Sequence, residues 1–215
     1  MTETAGFRAL IAAPEWARLP ASVRRRFGEP GAADVFVGEV AACELSRFAR
    51  LFDAVSRRLG SPLPACADIG AAVVVSVVDD GAGGQYWTRA FHGRRGFPSV
   101  IQSHMRFPAS GLEEQLRGGV VMTVDLETSA KGLHFVSRGY ALSLGRLRLP
   151  LPGWLGPGEM RLDHLAEGEH GFAVVLTLTH PWFGRVLRQT CVFHDTKDQN
   201  SSASRSRAMS IAHSP

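Results

Sequence analysis

A chain of 215 residues, 45% hydrophobic and 20% charged, has the length and make-up of one globular domain with a full core, which excludes a disordered or fibrous protein. The formal charge of +4 is carried by arginine, since only Lys131 and Lys197 are lysines, and half of the excess falls in the tail, where Lys197, Arg205 and Arg207 face Asp198. No apolar run approaches the roughly 18 residues that cross a bilayer, and MTETAGFRALIAAPEW lacks a basic start and a continuous apolar stretch, so the expectation is a cytoplasmic protein without a signal peptide.

The first segment reads as a short helix pair. Pro14 suits a first helical position, Trp16 and Leu19 follow at helical spacing, and Pro20 interrupts them. Val23 and Phe27 share one face of the second helix, with Arg24, Arg25 and Arg26 as a solvated face, before Gly28, Pro30 and Gly31 break it. Asp34 to Val40 reads as a short strand. Leu45, Phe48, Phe52, Val55 and Leu59 then recur at spacings of three and four, the signature of an amphipathic helix, which Gly60, Pro62 and Pro64 close.

From Ile69 the hydrophobic period falls to two. The pattern predicts strands over 72–78, 85–92, 99–107, 120–128, 133–138, 140–149, 159–166, 172–180 and 185–193. Glycine-rich turns separate them, among them Asp80-Gly81, Gly118-Gly119 and Glu167-Gly168. Connections this short hold no crossover helix, so neighbouring strands run antiparallel. A flat meander of that length would expose two edges, which closure or strong curling removes. The fold class is therefore α+β and β-rich: a curled antiparallel sheet or barrel of about nine to ten strands, backed by N-terminal helices. It forms a single domain over residues 1–195, with its helical part at 13–60 and a disordered tail over 196–215.

Several pieces, in order, resemble a known family. They are LPASVRRRF (Leu19 to Phe27), YWTRAF (Tyr86 to Phe91), GLEEQL (Gly111 to Leu116) and KGLHF (Lys131 to Phe135), followed by LRLPLPGWLGPG (Leu147 to Gly158) and GFAVVLTLTHPWFGRVLR (Gly171 to Arg188). Together they are similar to an uncharacterised bacterial family, domain of unknown function 4166, over roughly residues 15 to 194. The family usually ends in a Tyr-x-Gly element, where this chain has Gln189, Thr190, Cys191 and Val192. Some relatives look fused to dehydrogenase-like or membrane segments, which implies a helper module. The resemblance implies no activity.

The candidate ligand-binding residues are Trp87, Arg89, Phe91 and Glu113. Alternate residues of a strand share a face, so two aromatics turned inward carry Arg89 with them. A buried guanidinium needs a carboxylate or several carbonyls, and Glu113 or Glu114 is at hand in the same motif set. Arg89 then either clamps an anionic headgroup or forms an internal pair that fixes the register. As an alternative, Glu113 would be acid or base in lipid-like chemistry with His104, which shares a strand face with Val100, Gln102 and Arg106.

Other chemistries lack their signatures. His92, His104, His134, His164, His170, His180 and His194 form no i,i+4 pair, and no metal is expected. Gly81, Gly83 and Gly84 lead into a strand instead of a helix, so no dinucleotide or other cofactor is expected. Ser99, Ser103 and Ser110 lack a GxSxG elbow, and Asp125 and Glu127 read as a solvated face. Cys43, Cys66 and Cys191 are odd in number and far apart, which predicts buried thiols. The basic residues form no stripe with aromatic platforms, so no nucleic acid is expected. Trp154 and Leu155, and likewise Pro181, Trp182 and Phe183, either plug the barrel end or touch a membrane surface, with plugging preferred. The leading expectation is a non-enzymatic module binding a small hydrophobic or amphiphilic ligand with an acidic head; a filled barrel serving protein interaction is the other alternative.

Overall fold

The computed structural model describes residues 6–28, 33–58, 63, 68–93, 98–145 and 147–194. The expected stops at Pro30, Gly31, Gly60, Pro62 and Pro64, the residue Cys66 and the tail lie outside them. Two short helices, α1 (Ala13–Arg18) and α2 (Ala21–Gly28), precede strand β1 (Ala33–Leu45) and helix α3 (Arg47–Arg58). Ten further strands follow: β2 (Ala72–Asp79), β3 (Gln85–Phe91), β4 (Ser99–Arg106), β5 (Leu112–Leu116), β6 (Val120–Ser129), β7 (Gly132–Leu144), β8 (Leu147–Leu151), β9 (Glu159–Glu167), β10 (Gly171–His180) and β11 (Gly184–His194).

Ten of the strands close into an antiparallel barrel in the order β6-β5-β4-β3-β2-β1-β11-β10-β9-β7, with β7 returning to β6 and β8 as an extra strand. The strand that sequence patterning missed is β5. Its Glu113 and Glu114 mimic a turn, yet Leu112, Glu114 and Leu116 alternate inward. The predicted break at Gly139 is also corrected. There β7 runs on through a bulge, where Thr123 faces Gly139 and Val124 faces Ser137, and the true turn comes after Leu144. β1 extends to Leu45, so α3 begins two residues later than the apolar pattern suggests; Ser46 Oγ accepts the Ala49 N–H at 3.1 Å and caps it.

One edge of β7 serves two partners. Gly132 to Val136 pair with Leu165 to Arg161 of β9, whereas Tyr140 to Leu144 pair with Leu151 to Leu147 of β8. The wall is therefore split beyond Val136, and the Met160 N–H donating to Ser137 Oγ at 2.8 Å is the last stitch.

The two barrel ends are finished differently. At one, Phe7, Ile11, Leu19, Val23 and Phe27 enter from the N-terminal segment and pack on Met105, Leu112 and Phe135. Phe7 meets the rings of Phe27, Phe107 and Phe135 with centroids 4.9 to 5.7 Å apart, nearly edge-on. At the other, Ala49 of α3 is buried with Leu176, Leu178, Val186 and Leu187, and Phe48 and Phe52 pack against them.

Candidate functional site

Between these two ends the barrel is hollow. A cavity of about 740 Å³ runs from Phe7 and Phe27 at the plugged end to Leu144, Leu151 and Leu155 beside the split. That volume lies within the range of small-molecule sites. Its wall is dominated by aliphatic and aromatic side chains, among them Val73, Val75 and Val77 of β2 and Met122 of β6. Among the described lining residues, those exposed to solvent are Arg117, Gly118, Leu144 and Leu155. All four sit around the split wall, which marks the mouth.

Trp87, Arg89 and Phe91 all line this cavity, as two inward aromatics on one strand require. Arg89 donates from Nη2 to Glu114 Oε1 at 3.1 Å and from Nη1 to Ser103 Oγ at 3.0 Å, and its guanidinium lies 5.4 Å from the Trp87 ring centre. Both charged side chains are largely buried, 14% and 8% exposed. Trp87 is fixed in turn by donating its indole N–H to Gln85 Oε1 at 3.0 Å.

The carboxylate in the cavity is thus Glu114. Glu113 is corrected to the outer face, because neighbouring residues of a strand point to opposite sides. There it accepts two hydrogen bonds from Arg148 of β8, at 2.6 and 2.7 Å. Those bonds hold its carboxyl below the ordinary range, against the opposing effect of its partial burial. The pair staples β8 over the wall. His104 also faces outward, stacked on Tyr86 at 4.4 Å with Nε2 2.7 Å from Asp80 Oδ2. Asp80 accepts the N–H groups of Ala82 and Gly84 as well. The Ala82 bond, then His104, then Gly84 depress its carboxyl to about 2. Neither member of the proposed acid–base pair lines the cavity.

Three lining residues escaped the sequence reading. Arg26, read as part of a solvated run, turns inward instead. Its guanidinium lies 4.2 Å over the Phe172 ring, with a long hydrogen bond of 3.4 Å to the Gly171 carbonyl. His164 is buried between Phe172, stacked at 4.5 Å, and Phe27, edge-on at 4.9 Å. Burial first and Arg26 second push its imidazole down to about 3, so it is neutral, and its Nδ1 has no hydrogen-bond partner among the described residues. Tyr140 stands by the mouth, and burial raises its phenol well above the ordinary value, keeping it a protonated donor. Of these, Tyr140 carried a signal by sharing a strand face with Leu142 and Leu144, and His164 by sharing one with Met160 and Leu162, whereas Arg26 carried none.

Trp154 and Trp182 do not plug the barrel. They stack on each other outside it, with centroids 5.5 Å apart. Asp125 and Glu127 lie on the outer wall, paired with Arg138 and Arg161. No described helix is long and apolar enough to cross a membrane. A family model described as domain of unknown function (DUF4166) matches residues 19–193. No curated protein and no solved structure matches the chain.

Proposed function

The chain belongs to the DUF4166 family, a membership that brings no activity with it, and from the cavity we propose that the protein is a non-enzymatic binder of a small hydrophobic or amphiphilic molecule. One observation carries the reading: an apolar chamber of about 740 Å³ in a closed barrel, with its polar groups gathered at a few wall positions. A barrel built only to present its outer surface would gain stability by filling that space with side chains.

The pairing of Arg89 with Glu114 alters the head expected of the ligand. The guanidinium charge is already met, so this wall offers N–H donors and a carboxylate acceptor with no net charge. A hydroxyl or amide head, able to donate and accept, suits it better than the acidic head that an unpaired arginine would favour. Tyr140, whose hydroxyl is hydrogen-bonded with Ser137, adds a polar group toward the mouth.

Titration with the neutral fluorophore N-phenyl-1-naphthylamine tests the reading. Saturable binding at about one probe per chain is expected, displaced more readily by a medium-chain alcohol than by the carboxylate of equal length. The absence of saturable binding would overturn the carrier, and preferential displacement by the carboxylate would restore the acidic head.

A further inference from the structure

The mouth of the cavity is ringed by exposed hydrophobic side chains from separate elements. Leu144 and Leu147 flank the β7–β8 turn, Trp154 and Leu155 occupy the loop after β8, and Trp182 and Phe183 form the β10–β11 turn. Trp154 and Trp182, 52% and 67% exposed, stack at 14° and make one aromatic knob from two loops. Among the described residues, the exposed apolar side chains elsewhere are five valines, such as Val35 and Val100, with Leu10, Ile69, Tyr86 and Leu149 scattered singly. Large rings and leucines left in water at loop tips need a different explanation from scattered wall valines.

We propose that this end of the barrel docks on an anionic lipid bilayer, with the Trp154–Trp182 knob and the β7–β8 tip sunk in the interfacial region. Three observations select a bilayer as the occupant. Tryptophan at the end of a loop suits the boundary between headgroups and acyl chains, where one edge of the ring is wet and the other dry. The apolar groups project from several loops, a form suited to a soft phase and ill suited to a rigid partner face. Exposed arginines stand at the same end, Arg117 at the mouth and Arg47 and Arg50 on α3, while Arg185 is met by Glu44 at 2.8 Å and Glu159 is an exposed acid nearby. That balance favours phosphate-bearing lipid.

The docking itself stands on the rim. Its use rests on the carrier reading: because Leu144 and Leu155 belong to both rim and cavity lining, an apolar guest would pass from acyl chains to barrel without crossing water.

The test is flotation of the full chain with vesicles of phosphatidylcholine alone and of phosphatidylcholine mixed with phosphatidylglycerol. The protein is expected to float with the mixed vesicles, less so as salt is raised, with tryptophan emission shifted to the blue. Leu147→Asp and Trp182→Ser, neither of which lines the cavity, should each weaken flotation about tenfold. Both should bind N-phenyl-1-naphthylamine normally in vesicle-free buffer, so failed docking is distinguishable from a failed carrier. Wild type that floats with neither vesicle, or variants that float as well as wild type, would overturn the proposal. So would a vesicle-free dimer abolished by Trp182→Ser, which would assign the rim to a second copy.

Discussion

Arg89 and Glu114 show how a charged pair can sit in an apolar wall. Each answers the other's desolvation, and Ser103 takes a further guanidinium hydrogen. Removing one partner is therefore worse than removing both. Arg89→Leu should cost about 3 kcal/mol or more in urea unfolding, since Glu114 is left buried beside a leucine. Arg89→Leu combined with Glu114→Leu should regain most of that loss; simple addition of the two single effects would contradict a coupled pair. His164 gives a second test at this scale. Its folded value of about 3 lies below the ordinary 6.5, so between those limits the unfolded chain takes up a proton that the folded chain refuses. Stability from the neutral imidazole is complete above pH 6.5 and drains away as pH falls toward 3. Comparing denaturant midpoints across that window, His164→Leu should fall less steeply than wild type on acidification. Parallel profiles would show that the folded His164 takes up its proton over the same range as the unfolded chain, contradicting its burial as a neutral group.

Among the elements, β7 decides whether the barrel closes and where it opens. Its start must lie close to β9, and Gly132 permits this, because a Cβ there would run into the His164 carbonyl oxygen. Gly132→Ala should cost about 2–3 kcal/mol in thermal or urea unfolding, by forcing the seam apart; an unchanged midpoint would mean that the seam is slack. Most elements were legible in the sequence because alternation with a period of two is a local property, and so is the stripe of Phe48 and Phe52 on α3. The exceptions have local causes as well. In β5, Leu-Glu-Glu-Gln-Leu hides an inward carboxylate whose partner, Arg89, lies twenty-five residues away in the chain. Glu113 and Glu114 are interchangeable only while 112–116 is read as a turn, because on a strand Glu114 shares the face of Leu112 and Leu116 and Glu113 takes the other. At Gly139 a bulge, which glycine accommodates as readily as a turn, reads in one dimension as a strand end.

At the scale of the whole molecule, closure and hollowness are linked. The N-terminal segment supplies Phe7 and Phe27 as a lid on one end, so the strands need not fill the interior themselves. At the other end, where α3 covers part of the rim, the split in the wall leaves the mouth. Neither property can be read from a single segment: alternation announces an inward face without saying how far away the facing wall stands. β2 and β7 lie across the barrel from each other in the ring of ten, which allows the space itself to be tested. The most direct measurement is the N-phenyl-1-naphthylamine titration repeated on Val75→Trp combined with Leu142→Trp, which places an indole on each of these walls. Loss of saturable binding with far-ultraviolet circular dichroism and thermal unfolding retained is the predicted result. Undiminished binding by the folded double variant would contradict the account, because the probe would then sit somewhere other than the barrel interior.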